Sequence, residues 1–245
     1  MSGYTLITGA CGGLGGAFCE LLAERGEPLY LTGRSEARLQ KRCGELCEKF
    51  PALSVKFRVC DLSDEESRRL FFEGTDREGV RFSRLVYVAG ADIQKAFEKY
   101  NEQKLVFQTR VNFEGAVSFM RSVIARSALD GCTELLCVGS MSANCPMPYF
   151  ALYSASKKAL EQFCVALRTE MKGRAKVTCV CPGSIPTRED IKENIRAHGF
   201  WTRISAKSPR AVAAASLKAV RRNKRTKTIG FWNHVIGFFT GLAPL

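Results

Sequence analysis

With 245 residues, 46% of them apolar and 25% charged, the chain can bury roughly 70–75% of its unfolded surface, which excludes a disordered or fibrous polypeptide. The formal net charge of +13 admits an anionic membrane, a nucleotide or a nucleic acid as partner. No aromatic–basic RNP motif, zinc-finger spacing or heptad-linked basic region accompanies that charge, so nucleic acid is not expected.

The chain alternates apolar runs with longer helical stretches. Tyr4–Gly9 reads as a buried strand, then a glycine-rich turn opens a helix through about Arg25. Pro28–Gly33 is a second strand, and Ser35 caps a helix to about Phe50. Ser54–Leu62 is a third strand, followed by a helix with Ser63 as N-cap and an acidic first turn. Arg84–Gly90 is a fourth strand, Glu102–Ser127 one long helix, Glu134–Ser140 a fifth strand and Tyr149–Lys172 another long helix. Val177–Pro182 is a sixth strand, residues 188–223 are helical with a break at Pro209, and a last strand falls at Lys227–Phe231. Strands apolar on both faces and separated by helices predict a parallel seven-stranded sheet flanked by helices, hence an α/β, doubly wound chain in one domain over 1–245.

The eleven cysteines are scattered without a Cys-x-x-Cys, and His198 and His234 lie far from any cysteine pair, so no metal site is expected. No secretory signal is visible at the N-terminus, which points to reduced thiols and a cytoplasmic location.

The first strand runs into Thr8-Gly9-Ala10-Cys11-Gly12-Gly13-Leu14-Gly15 and then a helix. Glycines there let the backbone turn and approach a pyrophosphate, and the helix N-terminus offers free N–H groups. Gly9, Cys11, Gly12, Gly13, Leu14 and Gly15 are therefore candidate dinucleotide contacts. About 20 residues beyond the glycines, where an acid would hold an unphosphorylated ribose, stand Gly33-Arg34-Ser35. Arg34 can grip a 2′-phosphate with its planar fork and Ser35 can add a donor, which predicts NADP(H) over NAD(H).

Tyr153 and Lys157 are spaced i, i+4 on one helix face. A phenol ionises near ~10 and is a poor base at neutrality. A Lys cation about 4 Å away contributes roughly 4 kcal/mol at an effective dielectric of about 20, or about three pKa units, so Lys157 is expected to lower the phenol. Ser140 ends the fifth strand at the carboxyl edge of the sheet. A loop through Pro146 and Pro148 can return its hydroxyl to the phenol and to a substrate oxygen.

In this order, the Gly-rich loop, Asp61-Leu62, Ala89-Gly90, Asn112, Ser140, Tyr153/Lys157 and Pro182-Gly183-Ser184-Ile185-Pro186-Thr187 resemble the motifs of the short-chain dehydrogenase/reductase family over about residues 4–190. The resemblance implies a single Rossmann-type domain and an oxidoreductase interconverting a small-molecule carbonyl and a secondary alcohol with NADP(H). It also implies that Tyr153 is the general acid/base, that Ser140 orients the carbonyl and that Lys157 binds the nicotinamide ribose. Asn112 would hold a water of the proton relay, Asp61 and Leu62 would contact adenine, and Ile185 and Thr187 would hold the carboxamide. Ala89, Gly90, Pro182 and Gly183 complete the implied cofactor contacts, and a homodimer or homotetramer is expected. One departure stands out: the family's Asn-Asn-Ala-Gly is here Tyr87-Val88-Ala89-Gly90, without the Asn that braces the sheet.

Residues 188–208 are expected to cover the substrate, with Ile191, Ile195, Phe200, Trp201 and Ile204 alternating with Arg188, Lys192, Arg196 and Arg203. This pattern suits an apolar substrate of hydroxysteroid or acyl type carrying an anionic group. Lys218–Lys227 carries six basic residues in ten and leads into the apolar segment 228–245. That segment packs on the pocket or a subunit, or makes peripheral membrane contact. The rival functional reading is a non-catalytic NADP-binding sensor or scaffold.

Overall fold

The computed structural model describes residues 3–127, 132–144, 147–187, 206–230 and 232–233. In chain order these form β1 (Tyr4–Thr8), α1 (Gly13–Ala23), β2 (Leu29–Gly33), α2 (Glu36–Lys49), β3 (Val55–Val59), α3 (Glu65–Arg77) and β4 (Phe82–Tyr87). They continue with α4 (Glu102–Thr109), a π-helical turn (Arg110–Glu114), α5 (Gly115–Ala125), β5 (Thr133–Val138), α6 (Ala151–Glu170) and β6 (Ala175–Pro182). Next come α7 (Pro209–Arg221) and β7 (Thr226–Ile229).

All seven strands are parallel in one sheet of order β3-β2-β1-β4-β5-β6-β7, as the alternating pattern predicts. Successive residues of each strand feed opposite faces. On β5, Leu135 and Cys137 join the core under α3, α5 and α6, whereas Leu136 and Val138 join the core under α1, α2 and α7. The strand order reverses between β1 and β4, which opens a crevice at their carboxyl ends.

Several boundaries differ from the sequence reading. Asp64, not Ser63, caps α3, accepting the Ser67 N–H at 2.8 Å, because the Ser63 hydroxyl is turned back onto the Asp61 carboxylate at 2.6 Å. Pro209 opens α7 behind the N-cap Ser208, since its fixed φ and missing N–H suit a first helical position; the part of the expected helical stretch over 188–205 lies outside the described residues. The stretch expected as one helix, Glu102–Ser127, is interrupted by the π turn. Of the substrate-covering segment 188–208, residues 188–205 lie outside the described residues. Of 228–245, only 228–230 and 232–233 lie within them. No helix among the described residues is long and apolar enough to cross a membrane.

At the amino end of the sheet a charge ladder crosses three strands. Glu134 of β5, 8% exposed, accepts from Arg84 of β4 at 2.7 Å and from Lys176 of β6 at 3.0 Å, and Arg84 also meets Glu27. Burial pushes the Glu134 carboxyl up, but Arg84 and Lys176 outweigh it and hold the net value below the usual carboxylate range. A depressed folded pKa stabilises the fold above the unfolded value and loses that stabilisation as pH falls through the folded value. Glu134→Gln should therefore cost about 3 kcal/mol at neutral pH, the low end for a broken buried pair. In urea unfolding the gap from the wild type should close in acid, below about pH 4.

Candidate active site

Tyr153 sits in the first turn of α6, with Phe150 just ahead of the helix. The two rings meet edge to face with centroids 5.6 Å apart. The Ser140 hydroxyl, carried past the end of β5, lies near enough to the Tyr153 phenol to lower its pKa. It accepts in turn from the Ser142 N–H at 3.2 Å and the Ser142 hydroxyl at 2.9 Å. With both acceptor positions filled, the Ser140 O–H is left to point at the phenol or at an oxygen placed beside it. Ser142 was not singled out in the sequence. Its signal was the Ser-x-Ser spacing, in which a strand-end hydroxyl captures groups two residues on.

Lys157 is 3% exposed, and its Nζ donates to the Val138 carbonyl at 2.9 Å. The ammonium stands 5.8 Å from the centre of the Tyr153 ring and close enough to Gly90 that a Cβ there would lie 3.1 Å from it. Gly90, Asn112 and Lys157 thus converge below the phenol.

The expected lowering of the phenol by Lys157 is corrected by the structure. Burial pushes Tyr153 up to about 12, and the Ser140 hydroxyl recovers only part of that rise. The physical reason is desolvation, which penalises phenolate and ammonium alike. Burial also lowers Lys157, and its charge is spent on Val138 rather than on the phenol. Asp92, after the β4 loop, adds negative charge that raises both groups.

Asn112 is fully buried in the π turn. Its Oδ1 accepts from Ala91 N at 2.7 Å, and its Nδ2 donates to Ala91 O at 2.9 Å and to Ser156 Oγ at 3.0 Å. Ser156 passes this on to the Tyr153 carbonyl at 2.7 Å. The side chain therefore clamps the loop after β4 and α6 together. At the position where the family motif departs, the Tyr87 phenol is fully buried and donates to the Val111 carbonyl of the π turn at 2.7 Å. The ring fits because position 115 is glycine, where a Cβ would fall 2.9 Å from the Tyr87 oxygen.

The candidate dinucleotide cradle lies at the carboxyl ends of β1, β2 and β4. Gly9 has φ 63° and touches Ala89 across the crevice, and the Thr8 hydroxyl accepts from Val88 and Ala89 N–H at 3.1 and 3.2 Å. Gly12 is the N-cap of α1 with no side-chain cap, so the helix presents uncapped N–H groups to the crevice. Thr187, beyond β6, packs on Gly13 so closely that a Cβ on Gly13 would lie 2.9 Å from it. Thr187 therefore rests directly on the glycine loop, and the uncapped N–H groups of α1 are the feature that fits a pyrophosphate. Leu14 and Leu62 bury their side chains in the core, which leaves only their main chains for contact, and the Leu62 carbonyl is already taken by Arg68 at 2.7 Å. Cys11 and Ile185 are half-buried against the core, and Pro182 closes β6. Gly183 packs on the buried Asn233, a residue from the C-terminal segment that the sequence did not mark.

At the adenosine end, Ser35 caps α2 by accepting Arg38 N–H, and Arg34 lies over the Phe107 ring, 5.3 Å from its centre. Arg38, one turn further along, donates to the Cys11 carbonyl at 2.9 Å. Neither guanidinium is neutralised by a carboxylate among the described residues. Arg38 was not singled out in the sequence. No group of three or more metal-ligating side chains occurs among the described residues.

With that geometry, comparison with known proteins is informative. A short chain dehydrogenase model matches residues 4–198. An 11-beta-hydroxysteroid dehydrogenase-like protein of Arabidopsis thaliana, 4A, is 27% identical over 242 residues, covering 98% of this chain and 80% of its own. Sulfoacetaldehyde reductase 2 of Chromohalobacter salexigens is 31% identical over 192 residues, covering 76% of this chain and 74% of its own. The fold of L-sorbose reductase from Gluconobacter frateurii, solved with NADPH and L-sorbose, is similar with a TM-score of 0.82 at 24% identity, over 94% of this chain and 95% of that one. From β1 to beyond Thr187 the match is continuous, and the chain belongs to the short chain dehydrogenase family of oxidoreductases.

Proposed function

We propose that the protein is an NADP(H)-dependent reductase that converts a ketone or aldehyde on an apolar substrate into the alcohol. The observation that carries this reading is the convergence of Ser140, oriented by Ser142, and Tyr153 at the carboxyl edge of the sheet, with the buried Lys157 behind them. Ser140 and Tyr153 would hold the carbonyl oxygen between two O–H donors. When bound, the nicotinamide supplies the hydride. Tyr153 donates its proton to the oxygen as negative charge grows there. A phenol held near 12 carries its proton at neutral pH, the form that carbonyl reduction uses. Asn112 ties α6 to the loop after β4, and Lys157 ties it to the end of β5.

An apolar substrate is supported by the rim of the site. Phe97, Met147 and Tyr149 are large and exposed at the segments that follow β4 and β5, and the Lys95 N–H to Tyr149 carbonyl bond of 2.9 Å ties those segments together. Tyr149 holds φ 66°, a conformation a bulky residue seldom adopts. Relatives named for hydroxysteroids and for 3-ketodihydrosphingosine are in keeping with such a substrate.

The preference for NADP(H) is supported by the two guanidiniums at the end of β2, neither of them paired with a carboxylate among the described residues. A hydrogen bond to a charged group contributes about 1.5–3 kcal/mol, so Arg34→Ala should raise the NADPH dissociation constant about tenfold or more and leave that of NADH unchanged. Fluorescence titration of both cofactors checks this. Tighter binding of NADH than NADPH by the wild type would overturn the cofactor assignment.

A further inference from the structure

Phe107 belongs to neither hydrophobic core, and α4 buries only Gln108 fully, so its half-buried ring does little for the packing of the domain. Its position is nonetheless fixed. Asn101 caps α4 through the Lys104 N–H at 3.0 Å, and the Gln108 side chain accepts from the Tyr100 hydroxyl at 3.1 Å. The ring carries the Arg34 guanidinium on its face. Ser63, just beyond Asp61-Leu62, lines the same shallow groove as Phe107 and Arg110. The Arg110 charge is matched by Glu114, whereas Arg34 has no carboxylate partner among the described residues.

From this arrangement we infer that Phe107 is a positioning residue for cofactor choice. It holds the Arg34 guanidinium flat against α4, while Arg38 is anchored from the other side on the Cys11 carbonyl of the glycine loop. Two cations then flank the end of β2, where a 2′-phosphate on the adenosine ribose would enter. A free Arg side chain samples many rotamers, and a ring beneath it removes most of them before the ligand arrives. The electrostatic attraction of ring for guanidinium acts in the same direction. The inference rests on the proposed NADP(H) dependence, since NADH offers nothing for Arg34 to grip.

The test is the ratio of NADH to NADPH dissociation constants for the wild type, Arg34→Ala, Phe107→Leu and Phe107→Tyr, all by fluorescence titration. Phe107→Leu should lower the ratio about two- to fivefold, the effect of a surface cation–π contact, by weakening NADPH alone. Phe107→Tyr, which keeps the ring face, should retain it. If Arg34→Ala collapses the ratio while Phe107→Leu leaves it intact, the positioning role is wrong and the cofactor reading stands. If Phe107→Leu weakens both cofactors equally, the ring serves only the packing of α4 and the inference fails. A wild type without preference for NADPH retracts the cofactor reading, and the role of Phe107 with it.

Discussion

Replacing Tyr153 with Phe should lower carbonyl-reduction turnover about 10²- to 10⁴-fold, the usual range for a positioned general acid, while NADPH affinity stays unchanged. Only the hydroxyl is lost. The ring keeps its edge-to-face contact with Phe150, and Lys157 keeps the Val138 carbonyl. The loss therefore falls on the transition state, where the departing proton is needed. Steady-state turnover beside a cofactor titration separates the two effects, and an undiminished turnover would remove the phenol from the chemistry. The pH dependence carries the same signature. Burial pushes the phenol to about 12, so reduction, which uses the protonated form, should stay level from neutral into alkaline pH. Oxidation, which needs the phenolate, should climb over that range.

Gly15→Ala should be the most damaging single methyl addition in the cofactor cradle. A Cβ at this position would lie 2.1 Å from the Gly9 carbonyl oxygen and 2.8 Å from its carbon, a clash with backbone that no rotamer relieves. Overpacking typically costs about 1–3 kcal/mol, and an unyielding backbone contact puts this variant at or above about 3 kcal/mol. The glycine loop must also lift away from α1, so cofactor affinity should fall with stability. Gly44→Ala is the matched control. It lies within α2 with open space around it, and Ala there should stabilise the fold by about 0.5–1 kcal/mol. Urea unfolding of the two variants checks both signs. A Gly15→Ala protein as stable as the control would mean that β1 and α1 do not meet as closely as described.

Much of this was legible because strand alternation and glycine placement are local properties. The parallel sheet followed from apolar runs spaced by helices, and the glycine loop followed from the tight turn between the first strand and helix. The convergence of Ser140, Tyr153 and Lys157 followed from one strand end and one helical repeat. The π turn was not legible. Arg110–Glu114 has an ordinary helical pattern, and the extra residue is held by long-range partners, the Tyr87 phenol on Val111 and the Asn112 clamp on Ala91 and Ser156. The direction of the Tyr153 shift was missed for a related reason. A sequence shows the neighbouring charge but not the water lost around both groups, and here burial wins. Arg38 and Phe107 were overlooked because their use depends on which way β2, α2 and α4 face one another.

The most direct measurement is NADPH oxidation by the purified protein across a panel of aldehydes, small ketones, sterol ketones and 3-ketoacyl compounds, with alcohol formation quantified alongside. At least one carbonyl should be reduced with one alcohol formed per NADPH consumed. A protein that binds NADPH tightly yet oxidises it with no carbonyl of any class would contradict hydride transfer at Ser140 and Tyr153, and would leave a cofactor-binding fold without the reaction.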